Sequence, residues 1–190
     1  MSLKQLLTFA VYAAAVLSEG CTHVVSDDYR HFLDNHAGES RLPTIPASLV
    51  YDMDPETADH HIEFRSNTIG AEHRWVVEFG TILHATLQSR DVRQAFKSHG
   101  APSTVHLHLQ LEQYEFIRYT AIVALHVHAT NSAGVTTMDR IVRATGSNEA
   151  GFWTFLGASW AMREAIQTST KAALDSVMSQ IINELNGTDS

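Results

Sequence analysis

Residues 103–145 alternate. Val105, Leu107, Leu109 and Leu111 fall on one side of an extended chain, and His106, His108, Gln110 and Glu112 on the other. Such alternation predicts a half-buried strand. A second strand is expected from about residue 117 to 130. Tyr119, Ala121, Val123, Leu125 and Val127 are its apolar side; Arg118, Thr120, His126 and His128 share the opposite one. Asn131-Ser132-Ala133-Gly134 supplies a turn, and a third strand over residues 135–145 alternates less cleanly. Three such strands form an antiparallel meander with one buried and one wetter face.

On both sides of the meander the apolar spacing changes to three and four. Trp75, Val76, Phe79, Ile82, Leu83 and Leu87 predict a helix from residue 71 or 72 to about 90. Gly80 within it either costs about 1 kcal/mol against Ala or marks a close approach to the sheet. Ile166, Ala173, Val177, Ile181 and Leu185 predict a long helix over residues 159–186, closed by Gly187. The expected fold class is therefore α+β, an antiparallel β-meander sheet with two helices packed on one face. Leu49-Val50-Tyr51 begins a strand that Asp52-Met53-Asp54-Pro55 breaks, residues 60–66 suit an edge strand, and Ile69-Gly70 suits a turn. Residues 91–102 are expected to connect the first helix to the meander.

The first twenty residues differ from the rest. Lys4 precedes an apolar run over residues 6–17, followed by Ser18-Glu19-Gly20-Cys21. The run is short for a bilayer span and suits a signal-peptide core. It resembles a bacterial lipoprotein signal, whose cysteine becomes the acylated first residue of the mature chain. The usual box has Leu three residues before the cysteine; here Leu17 stands four before. Ser18 and Gly20 also satisfy ordinary signal cleavage, and an inert cysteine on a buried helix is the third reading. On the lipoprotein reading, residues 1–20 are the signal peptide, residues 21–48 are the lipidated Cys21 with a polar tether, and residues 49–187 are one α+β domain. Thr22 after the cysteine, in place of the retention signal Asp, points to the outer membrane.

Composition narrows the function. A net charge of -8 over 190 residues argues against nucleic acid. Hydrophobic content of 44% and charged content of 18% are globular values. A single cysteine excludes an intrachain disulfide. No catalytic residue stands out. Gly157-Ala158-Ser159-Trp160-Ala161 misses the nucleophile elbow by its last glycine, and that elbow needs a larger parallel sheet. There is neither a phosphate loop nor a His-Glu-x-x-His helix.

Two surfaces carry candidate chemistry. Phe152, Trp153, Phe155 and Trp160 crowd the connection into the last helix, either as a plug of the core or as a partner-binding patch. His106, His108, His126 and His128 share the polar sheet face. A hairpin turning near Glu115 or Phe116 would set His106 opposite His126, close enough for one Zn or Cu ion. The other readings of that face are a pH-sensitive surface and ordinary solvated histidines.

The order of elements also carries a resemblance. A lipobox-like start precedes Arg74-Trp75, Gly80-Thr81-Ile82-Leu83, the meander and an Ala-rich last helix. Over residues 60–185 this is similar to small Gram-negative periplasmic lipoproteins of the YajG-like and ABC-transport auxiliary (PqiC-like) group. The resemblance implies a non-enzymatic accessory protein of the envelope; with Thr22 it is expected on the periplasmic face of the outer membrane, and no cofactor is expected. It would support envelope transport or assembly through a protein partner such as a transport complex, and is compatible with a homo-oligomer. Only Cys21 matches a functional position of that group, the lipobox cysteine.

Overall fold

The computed structural model describes residues 21–68, 71–97, 103–148 and 159–188. In chain order the elements are β1 (Cys21–Val24), a 3-10 turn (Ser26–Asp28), α1 (Tyr29–Asn35), β2 (Ser48–Met53), α2 (Pro55–Ala58), β3 (His61–Thr68) and β4 (Ala71–Glu78). Then come α3 (Phe79–Leu87), α4 (Arg90–Ala95), β5 (Thr104–Ile117), β6 (Thr120–Asn131), β7 (Thr136–Ser147) and α5 (Ser159–Thr188). The fold is α+β, with two sheets ordered β2-β5-β6-β7 and β1-β4-β3.

The expected meander is β5, β6 and β7, paired antiparallel. Leu107, Leu109, Val123, Leu125, Val127 and Val142 are fully or almost fully buried on its inner side. The turn before β7 is pinned by Asn131, whose Oδ1 accepts from the Ala133 and Val135 amides at 3.0 Å. Gly134 takes a positive φ of 75° there, which glycine adopts without a Cβ clash. β2 joins the meander's edge in parallel, with Asp52 inside the strand rather than breaking it.

α5 covers the inner side of β6 and β7. Ile166, Leu174, Val177, Met178, Ile181 and Ile182 are buried against them. The helix continues through Gly187 to Thr188 instead of closing at Gly187. The Tyr114 hydroxyl of β5 meets Thr170 Oγ1 at 2.9 Å inside this interface. Burial pushes that phenol up to about 12, so it links sheet and helix as a neutral group. α3 covers the β2–β5 side, where the Phe79 ring lies 4.5 Å from that of Tyr114.

Two further expectations fail. Residues 71–78 are not the start of a helix. They form β4, with Trp75 and Val77 buried between the half-exposed Val76 and the exposed Arg74. The spacing of Trp75, Phe79, Ile82 and Leu83 fits a helix, but Trp75-Val76-Val77 is β-rich. Pairing with β1 on one side and β3 on the other satisfies the strand backbone. β3 is an edge strand, as expected. Residues 22–48 are likewise no tether. β1 pairs in parallel with β4, and Val25, Tyr29, Phe32, Leu33, Ile45 and Ala47 enter the core. The connection after residue 90 holds α4, capped by Ser89, whose Oγ accepts from the Val92 amide. The expected turn at Ile69-Gly70 lies outside the described residues.

Candidate functional site

Cys21 is the first residue of β1 and is exposed. It faces His73 of β4 across the parallel ladder, and His23 faces Trp75. The His23 and Trp75 rings stack with centroids 4.4 Å apart. His23 Nε2 lies 2.8 Å from His73 Nδ1, so one ring donates and the other accepts. Burial, then His73 and Arg163, hold the His23 pKa below the ordinary imidazole value. The Trp75 indole donates to Ser66 Oγ at 2.8 Å and ties β4 to β3.

The first turns of α5 lie against the segment that follows β1. Arg163 pairs with Asp28 at 3.1 Å, and Gln167 donates to the Val25 carbonyl at 3.4 Å. Trp160 is one turn earlier on α5 and is 57% exposed. Phe152, Trp153 and Phe155 of the expected partner patch lie outside the described residues.

The polar face of the large sheet carries the four histidines, in a register other than expected. His108 faces His128, His106 faces Thr130, and His126 faces Gln110. His106 and His126 are thus four positions out of register, about 13 Å along the strands, and cannot share an ion. The chain turns at Arg118 and Tyr119, with φ of 50° and 63°, and not near Glu115 or Phe116. These angles suit a two-residue primed turn. A bulge at Glu112 shifts the register once more. Among the described residues, no group of three or more His, Cys, Asp or Glu side chains is placed to hold a metal ion.

What the register brings together is histidine and carboxylate. His108 Nδ1 lies 2.5 Å from Asp52 Oδ2. Asp139 sits between His126 Nε2 at 2.7 Å and His128 Nδ1 at 3.6 Å. The bond from His126, then the charges of both rings, hold the Asp139 carboxyl below its ordinary value. Sequence reasoning missed both aspartates. Asp52 reads as a strand breaker, and Asp139 lies in the strand with the weakest alternation.

A second cluster has the composition of a serine–lysine dyad. Lys171 Nζ donates to Ser40 Oγ at 2.6 Å and to Asp175 Oδ2 at 2.7 Å, and Ser40 Oγ donates to Asp175 at 2.7 Å. An ammonium held between a carboxylate and a hydroxyl is a donor and has no lone pair to take the serine proton. The cluster fastens the segment after α1 to α5. A groove of about 580 Å³ between α1 and the α3–α4 turn is lined by Arg30, Asp34, Gln88, Ser89 and Arg93. Its serine hydroxyl already caps α4.

No family model matches the chain, and no curated protein matches its sequence. Among solved structures the chain is similar to protein XCC0632 from Xanthomonas campestris, described as a member of DUF330. The identity is 12%, over 78% of this chain and 89% of that one, with a TM-score of 0.48.

Proposed function

We propose that this protein is a lipid-anchored, non-enzymatic accessory protein of the Gram-negative envelope, held at the periplasmic face of the outer membrane by acyl chains on Cys21. The observation that carries this reading is the position of Cys21. It is exposed, it follows an apolar run and Ser18-Glu19-Gly20, and it lies on the first rung of β1 with β4. More than one acyl chain makes such an anchor stable. Because Cys21 is itself paired into the small sheet, an anchor on it holds the domain at the membrane surface with no spacer.

A partner is then met at membrane level, where anchoring raises the effective concentration. β2 is an edge strand of the large sheet and offers its outer backbone groups to an extended segment of a partner. The test is the intact mass of the mature protein recovered from membranes of a Gram-negative host. A diacylglyceryl-modified and N-acylated Cys21 is expected, with Cys21→Ser released from the membrane. An unmodified N-terminus in the soluble periplasmic fraction overturns the reading.

A further inference from the structure

Three exposed features lie at one end of the molecule. β4 runs from a peripheral start beside Cys21 inward to Phe79, so the Cys21 end of the small sheet is its outer tip. This sheet sits at the hairpin end of the large one, because the Phe64 ring of β3 stacks on Phe116 of β5 at 5.6 Å. Ile117 follows Phe116 at the last rung before the hairpin and is 53% exposed. Beside it stands Arg118, also exposed. The start of α5 is brought to the same end. Gly146, near the end of β7, lies against the Ser169 carbonyl, and the helix runs back from there past Val25 and Asp28 to the exposed Trp160.

The anchored reading says what covers this end. On that reading residues 1–20 are removed and the acyl chains stand on Cys21 itself. The lipid surface therefore meets the protein at Cys21. Tryptophan and arginine are the side chains suited to a membrane–water interface, with an apolar body and a polar tip.

We propose that the end bearing Cys21, Ile117 and Trp160 lies against the lipid surface. Ile117 and Trp160 enter the headgroup layer, and Arg118 reaches the phosphates. This rests on the anchored reading above and adds an orientation to it. The polar histidine face then stands edgewise to the membrane, and the β6–β7 turn with Val135 points away.

The test uses the full chain, recovered from membranes, in vesicles of phosphatidylethanolamine and phosphatidylglycerol carrying a phospholipid with a headgroup diazirine. After illumination, adducts are mapped by peptide mass. Adducts are expected on the peptides holding Ile117 and Trp160 and not on the peptide holding Val135, which is as apolar and 59% exposed. An Ile117→Ser/Trp160→Ser variant is expected to lose those adducts while keeping the lipid mass on Cys21. Equal labelling of the Val135 peptide, with Cys21 acylated, overturns the orientation and leaves the anchor standing. An unacylated Cys21 in a chain that leaves the membrane overturns both.

Discussion

His108 and His128 face each other across β5 and β6, each with Nδ1 turned to a carboxylate on the neighbouring outer strand. Asp52 serves the first and Asp139 the second, so polar contacts tie β2 to β5 and β7 to β6 on the same face. Opposed positions on neighbouring strands are within disulfide reach, and positions four residues out of register are not. In a Cys21→Ser background, His108→Cys/His128→Cys is expected to oxidise to an intrachain disulfide. His106→Cys/His126→Cys is expected to stay reduced. Mass after alkylation reads the difference, and the opposite result would restore the hairpin register expected from sequence.

The β5–β6 turn stores strain that can be relieved. Arg118 and Tyr119 both have positive φ, which costs an L-residue roughly 1–2 kcal/mol. Asn131 and Gly134 handle the next turn with better-suited residues. Replacing Arg118-Tyr119 by Asn-Gly is expected to stabilise the protein by about 1 kcal/mol. The urea midpoint should rise with an unchanged slope. A fall would mean that the Tyr119 side chain contributes more packing than its backbone costs.

Gly80 gives a test with an inverted sign. In an ordinary helix, Gly to Ala stabilises by about 1 kcal/mol. Here a Cβ would stand 2.0 Å from the Ala58 carbonyl oxygen and 2.7 Å from that of Thr57. Both are backbone atoms and cannot rotate away. Gly80→Ala is therefore expected to destabilise by at least about 2 kcal/mol, measured by urea unfolding. The close approach anticipated at this glycine exists, but α3 meets α2 there and not the sheet.

Thr57 makes the bulge in β5 tolerable. Its hydroxyl accepts from the Leu111 amide at 2.6 Å, next to the extra residue Glu112, and donates to Asp54. Thr57 is 1% exposed, so water cannot replace it. Thr57→Val keeps the volume and leaves the amide unpaired. It is expected to cost about 1–3 kcal/mol and to speed amide exchange at Leu111. Unchanged exchange there would assign the amide another partner.

The legible parts of this fold are those where one period dominates. β5 and β6 alternate because one face is buried and the other barer, and α5 repeats its apolar positions over many turns. β4 was hidden because Trp75, Phe79, Ile82 and Leu83 satisfy a helical stripe across a real strand–helix boundary. β1 and α1 were hidden by their polar neighbours. Val25, Tyr29, Phe32 and Leu33 do carry a spacing of four, three and one, and all are buried. At the polar face the histidines were readable one strand at a time. Their partners Asp52 and Asp139 depended on a register set by the Glu112 bulge and the Arg118–Tyr119 turn, which no local pattern announces.

The small sheet gives the protein an acid-sensitive joint. His23 and His73 share one hydrogen bond, which survives only while one ring nitrogen has a lone pair to accept with. The folded-state pKa of His23 is lowered, chiefly by burial and then by His73 and Arg163. The unfolded chain, with its ordinary value of 6.5, therefore takes up the proton first. The contribution of His23 is fully present above the unfolded value. It is lost as the pH falls from there through the lowered folded value, and below that no further loss comes from this group. His60, lowered by burial and then by His61, acts in the same direction. The urea midpoint is expected to drop between pH 7.5 and pH 5. His23→Gln should be less stable than the parent at pH 7.5 and should lose less on acidification. A variant with the full acid loss of the parent would move the joint to His60, and His60→Asn should then flatten the profile instead.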